Sequence, residues 1–182
     1  ADVSGPDGIP DGVIDGDDRV VIGNPNPELL VNFNGSIEYK GFDLNVLFQG
    51  VSGVERLIKG NGNQPMSDGR SNVLTYWINR WTPENPSTNL PRVGGLNNTT
   101  DSSFYIEDVS YLRVKSLELG YSLPADVLNK INISKLRVFL GAQNLFTFTG
   151  LENLDPEGAA GSNSNRNAPL YKTITFGLNL KI

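Results

Sequence analysis

The chain contains no cysteine and no histidine, and these two gaps remove much chemistry together. Disulfide frameworks, Cys/His zinc sites, cysteine nucleophiles and Ser-His-Asp triads are all excluded. Basic residues are few: 15 Lys and Arg face 20 Asp and Glu, for a net charge of −5. No basic stripe is available to displace counterions from phosphates, which excludes a nucleic-acid partner. Apolar runs are short, and none reaches the roughly eighteen residues of a transmembrane helix. That test does not reach β-barrel strands, whose alternation hides them from hydropathy windows. No signal peptide is evident, so Ala1 is expected to open a mature chain or a piece of a longer one.

What is abundant is turn chemistry, with 20 Gly, 11 Pro and many Asn. Residues 1–28 form an acidic segment broken by Gly and Pro. From Leu29 the hydrophobic period becomes two. Val31, Phe33, Gly35, Ile37 and Tyr39 fall on one face, and Asn32, Asn34, Ser36 and Glu38 on the other. After Lys40-Gly41, Phe42, Leu44, Val46 and Phe48 continue the apolar face. A two-residue turn there pairs 39 with 42, 37 with 44, 35 with 46 and 33 with 48, and every such pair is apolar or Gly.

Five strands are predicted, at about 29–39, 42–50, 104–123, 135–148 and 169–182. In the third, Leu117, Leu119 and Tyr121 alternate cleanly while Leu112 and Val114 lie in the opposite phase. This predicts a bulge near Lys115-Ser116 or an upper half projecting beyond a membrane. In the excursion 50–103, Val73, Leu74, Trp77, Ile78 and Trp81 fit helical spacing, with Ser71 as N-cap and Pro83 as terminator. The connection 124–134 is expected to hold one helical turn.

Connections thus alternate short, long, short, long, as in outer-membrane barrels. Val31 to Tyr39 covers roughly 27 Å at about 3.4 Å per residue. Tilted by about 40°, that is roughly 21 Å of height, near the ~25 Å apolar band of such barrels. Tyr39, Phe42 and Tyr121 then belong to an aromatic girdle beside the short turns. On periodicity alone, a soluble β-sandwich reads equally well. The barrel is favoured because the apolar faces of strands one, two, four and five carry no charge. The opposite faces are mostly Asn, Ser, Thr, Gln and Gly, and five strands with these faces cannot close on themselves.

The segments GNPNPELLVNFNGSIEYKGFDLNVLFQG (23–50), RWTPENPSTNLPRV (80–93), DVSYLRVKSLELGYSLP (108–124), LRVFLGAQNLFTFTG (136–150) and TFGLNLKI (175–182) resemble, in order, the C-terminal barrel blocks of SusC/RagA-like TonB-dependent outer-membrane transporters. The resemblance covers nearly the whole chain. It implies the last five antiparallel transmembrane strands of an all-β barrel of the 22-stranded plugged class. It also implies import of oligosaccharides or peptides, a SusD-like surface lipoprotein as partner and TonB as energy source. The C-terminus would face the periplasm, 1–28 would be an extracellular loop, and no enzymatic activity is expected. The family's plug and TonB-binding segment lie N-terminal to these blocks and are not among the 182 residues. The family usually ends on an aromatic residue, where this chain has Ile182. Other readings are a passive porin or a soluble, calcium-dependent carbohydrate-binding sandwich.

Three constellations carry candidate chemistry. The run from Asp7 places Asp7, Asp11, Asp15 and Asp18 at positions 1, 5, 9 and 12 of an EF-hand-type loop. Gly12 then stands at position 6 and the Val13 carbonyl at position 7. The run also resembles the DGIPD loops of thrombospondin type 3 repeats, with Asp2 and Ser4 as extra ligands. Ile9 at position 3 and Asp18 in place of Glu depart from the calcium pattern, and a solvated acidic turn is the plainer reading. A bound Ca2+ would be structural. Tyr76, Trp77 and Trp81 could form an aromatic platform for a sugar ring or the lipoprotein, although packing of the helix is the plainer reading, because Trp77 and Trp81 coincide with its apolar stripe. Glu38 and Asp43 fall on the polar side as neighbours, not cross-strand partners; solvated charges are the plainer reading. Arg137 and Gln143 share that side, with nothing in the sequence selecting them.

Overall fold

The computed structural model describes residues 9–13, 15–58, 74–87, 89–94, 101–152, 154–158 and 170–182. Ten of its elements position the site. They are β1 (Leu29–Tyr39), β2 (Phe42–Ser52), β3 (Glu55–Leu57), a 3-10 turn (Thr75–Asn79), β4 (Ile106–Asp108), β5 (Tyr111–Ser122), α1 (Ala125–Leu128), β6 (Lys135–Gln143), β7 (Thr147–Thr149) and β8 (Thr173–Lys181). The main sheet runs β1-β2-β5-β6-β8, with β7 also against β5, and every pairing is antiparallel. β3 and β4 form a separate small ribbon.

Alternation and one turn set this sheet. Lys40 and Gly41 take φ of 49° and 87°, the two left-handed positions of a type I′ hairpin turn. The turn pairs Tyr39 with Phe42, Ile37 with Leu44, Gly35 with Val46 and Phe33 with Phe48, the register that binary patterning requires. The same register makes Glu38 and Asp43 direct cross-strand partners. The expectation that they are mere neighbours is corrected: residues summing to 81 pair across this turn.

The phase conflict in the third strand has one cause. Leu47 pairs with Ser116 and Phe48 with Val114, so Lys115 is bulged out of the ladder. One extra residue shifts parity, and Leu112 and Val114 join Leu117, Leu119 and Tyr121 on the apolar side. Opposite the bulge, β6 also breaks. Asn144 takes φ 52° and its N–H donates to the Lys115 carbonyl at 3.1 Å. The expected strand 135–148 is therefore two pieces, β6 and β7. The expected strand 104–123 starts at Tyr111, because a 3-10 turn occupies Ser103–Tyr105 and the Asp108 side chain accepts the Ser110 N–H at 2.8 Å. β2 runs on to Ser52, and β8 covers Thr173–Lys181 within the predicted 169–182.

The apolar side is open. Phe33, Phe42, Leu119, Leu140 and Phe176 are exposed on it, with Phe176 at 73%. The Phe42 and Tyr121 rings lie 4.5 Å apart beside the short turns. The described core sits instead at the sheet's other end, where Val54, Ile58, Val109 and Leu151 are buried together with Val51 and Leu154 against them. There the opening segment is pinned to β3: Glu55 N–H donates to the Asn24 carbonyl at 2.9 Å, and the Glu55 carboxylate accepts the Asn24 N–H at 3.0 Å. β1 and β8 are the outer strands of the sheet. An edge of this length presents a row of backbone donors and acceptors that needs further strands.

Candidate functional site

Two ionic clusters stand on the polar side of the sheet. Near the short turns, Arg137 of β6 reaches over β5 to Asp43 of β2. Its Nε donates to Asp43 Oδ1 at 2.9 Å, its Nη2 also meets Asp43 Oδ2, and Nη2 donates to Glu118 Oε1 at 2.7 Å. Gly120 makes this crossing feasible, since a Cβ there would overlap the Arg137 guanidinium and Asp43. The guanidinium also sits 5.1 Å from the centre of the Phe139 ring, which lies over Gly177. Three strands are tied by one cation. Asp43 is thus held by Arg137, not poised with Glu38 as an acid pair.

Towards the long connections, Arg113 of β5 is buried at 2% exposure. Its Nε donates to Thr147 Oγ1 at 2.8 Å, and Nη2 donates to Asp155 Oδ1 at 2.9 Å and Oδ2 at 3.0 Å. Nη1 lies 3.1 Å from Glu157 Oε2 as an ion pair but makes no hydrogen bond. Lys115, the bulged residue, donates to both Glu157 oxygens at 2.8 and 3.0 Å. The Tyr111 hydroxyl lies 3.0 Å from Gln49 Oε1 and from Glu157 Oε1. Asp155 also accepts the Glu157 and Leu170 N–H groups at 3.0 and 3.2 Å. Burial pushes the Asp155 carboxyl up. The Arg113 hydrogen bonds and charge and the two backbone donors outweigh it and hold the group below the usual carboxylate range. The cluster fastens the segment 155–158 onto the sheet.

A third feature is a cleft of about 340 Å³ at the long-connection end, lined by Tyr76, Trp77, Asn89, Leu90, Phe104, Tyr105, Glu107 and the 150–152 segment with Leu154. The expected α-helix here is corrected. Thr75–Asn79 is a 3-10 turn that ends in an extended Arg80 before Trp81 is reached, so Trp77 and Trp81 are not on one helix face. Trp77 is buried at 2% and in ring contact with Tyr76, whereas Trp81 is absent from the cleft lining and hydrogen-bonds its N–H to the Leu90 carbonyl at 3.0 Å. Ser71 and Val73 lie outside the described residues. The cleft's other aromatics, Phe104 and Tyr105, meet edge to face at 4.9 Å. Desolvation against the cleft wall, then the charge of Glu152, raises the Glu107 carboxyl above its usual range.

The acidic opening is partly described, and Asp2, Ser4 and Asp7 lie outside the described residues. Gly12 takes φ 87°, as the loop pattern needs at its sixth position. Asp11 Oδ1 accepts the Val13 N–H, and Asp15 and Asp18 form a capping box around Gly16–Asp18. Among the described residues, no three acidic side chains converge as a metal site.

Arg113, Asp155, Glu157, Glu118 and Glu107 escaped the sequence reading. The one available signal was Arg113 itself, a charge that the Lys115 bulge moves onto the polar side.

The chain matches no protein-family model. It is 35% identical to TonB-dependent receptor P26 of Formosa agariphila over 93% of its own length and 18% of that protein's. Against TonB-dependent receptor SusC of Bacteroides thetaiotaomicron the identity is 27%, over 94% of this chain and 16% of the relative. Among solved structures, the RagAB peptide importer in the open-open state superposes with a TM-score of 0.69 at 27% identity, over 88% of this chain and 18% of that one. The RagAB peptide transporter gives 0.70 at 26% identity with the same coverage. This is a SusC/RagA-like barrel segment. It spans under a fifth of the length of the relatives it matches. An open apolar side opposite a polar, ion-paired side is the division that the wall of an outer-membrane β-barrel requires.

Proposed function

We propose that this SusC/RagA-like segment builds one side of the wall of a TonB-energised importer in a bacterial outer membrane. The imported solutes are oligosaccharides or peptides, and a SusD-like lipoprotein covers the extracellular mouth. The supporting observation is the division of the sheet into an uninterrupted apolar side and a polar, ion-paired side, in a segment that superposes on a peptide importer. The relatives' names support TonB dependence of the whole protein. On this reading the Lys40-Gly41 and 124–134 connections and the C-terminus face the periplasm. The core around Val54 and the aromatic cleft face outside.

The test is uptake by cells carrying the whole gene with its neighbouring lipoprotein gene. Import should stop on deletion of either the lipoprotein or TonB. Continued uptake without TonB would assign the protein as a passive porin.

A further inference from the structure

The cleft that opens between the 3-10 turn Thr75–Asn79, the 104–107 segment and the 150–152 segment with Leu154 has the makings of a binding site. Its volume of about 340 Å³ lies within the range of small-molecule pockets, roughly 300–1,000 Å³. Its floor is apolar, with Trp77, Tyr105 and Leu151 buried. Phe104 offers an accessible ring face, being 46% exposed. Two carboxylates, Glu107 and Glu152, are exposed at its edge. Among the described residues that line it, none is cationic. Elsewhere on the sheet, four half-buried carboxylates each meet a cation: Asp155 and Glu157 meet Arg113 and Lys115, and Asp43 and Glu118 meet Arg137. In the cleft, Glu107 and Glu152 line one cavity as like charges. Two like charges beside a partly exposed aromatic ring suit an organic cation on a body able to stack, the ring adding what a bare metal ion would not use.

We infer that this cleft is a recognition subsite for ammonium- or guanidinium-bearing solutes at the outer mouth of the barrel, with Glu107 and Glu152 taking the cation and Phe104 and Tyr76 its flank. The inference rests on the importer reading and narrows its substrate class. Two sources share this chemistry, basic oligopeptides and amino-sugar oligomers, and the probes separate them.

The experiment uses the whole transporter with its lipoprotein, purified in detergent. Binding is measured for Ala-Lys-Ala and its Nε-acetyl form, and for a glucosamine trimer and its N-acetylated form. One cationic probe should bind more tightly than its acetylated partner. The E107Q/E152Q variant, whose substitutions are isosteric and exposed, should lose about tenfold in affinity for that probe. Its affinity for the acetylated partner should not change. Phe104→Ala should weaken the same probe while leaving Tm unaltered. Equal binding of charged and acetylated probes, binding of neither cation, or an E107Q/E152Q protein that binds as wild type would overturn the inference. A protein that still imports solute in a TonB-dependent way under those outcomes would leave the importer reading intact. TonB-independent uptake would remove that reading whatever the cleft binds.

Discussion

Replacing Arg113 by Met removes one charge and keeps much of the side-chain volume, leaving Asp155 and Glu157 facing a nearly dry site. Stripping one partner from a buried ion pair costs about 3–5 kcal/mol. Asp155 and Glu157 retain 11% and 20% exposure, so water recovers part of that cost, and about 2–4 kcal/mol is expected. The loss should be local, because the cluster fastens the 155–158 segment and does not build the ladder. Hydrogen exchange of the Glu157 and Leu170 amides, both donors to Asp155, reads it directly in the whole transporter. Their protection should fall by about 30- to 1,000-fold while β2 and β5 amides keep theirs. R113M/D155N should regain at least about 1 kcal/mol relative to additivity, as a coupled pair must. The pH dependence has a definite sign. Asp155 is held below its usual range when folded, so its contribution is complete above the unfolded value of about 3.9. It is lost as pH falls through the lower folded value. Unchanged protection in R113M, or strict additivity of the pair, would refute the reasoning.

Other perturbations follow from the same structure. Gly41→Ala places a Cβ at φ 87° and 2.8 Å from the Ser122 carbonyl oxygen. Destabilisation of about 1–2 kcal/mol is expected, read as a lower Tm of the detergent-solubilised barrel. Phe176→Arg on the apolar side should cost about 2–4 kcal/mol and reduce the amount of assembled barrel, whereas Asn45→Arg on the polar side should assemble normally. Calcium binding through Asp7, Asp11, Val13, Asp15 and Asp18 would require the Asp15–Asp18 capping box to open. Such binding predicts a calcium-dependent rise in Tm that D11N and D15N abolish; a Tm indifferent to calcium would retire the site.

The hairpin and sheet were legible in the sequence because period-two alternation and one two-residue turn fix parity, and parity fixes register. The bulge at Lys115 was legible for the same reason: Leu112 and Val114 are out of phase with Leu117, and one inserted residue reconciles them. Features that depend on distant segments were not. Arg113 and Asp155 are 42 positions apart, and no local periodicity links them. The Arg137–Asp43 bridge spans 94 positions and requires the notch at Gly120. Around Trp77, helical spacing misled, because a short 3-10 turn can satisfy the same apolar positions while turning Ile78 outward, to 72% exposure. Glu38 and Asp43 needed only the register already in hand, applied one step further.

Single cysteines can be placed and spin-labelled one at a time along β6, from Leu136 to Gly141, in a segment that has no cysteine of its own, in the whole protein with any cysteine outside this segment replaced and reconstituted in lipid. Collision with oxygen, which concentrates in the bilayer, should peak at 136, 138 and 140. Collision with a water-soluble nickel chelate should peak at 137, 139 and 141. Labels along this strand that all report water, or that all report a dry interior closed to both probes, would contradict a wall with lipid on one side and an aqueous interior on the other.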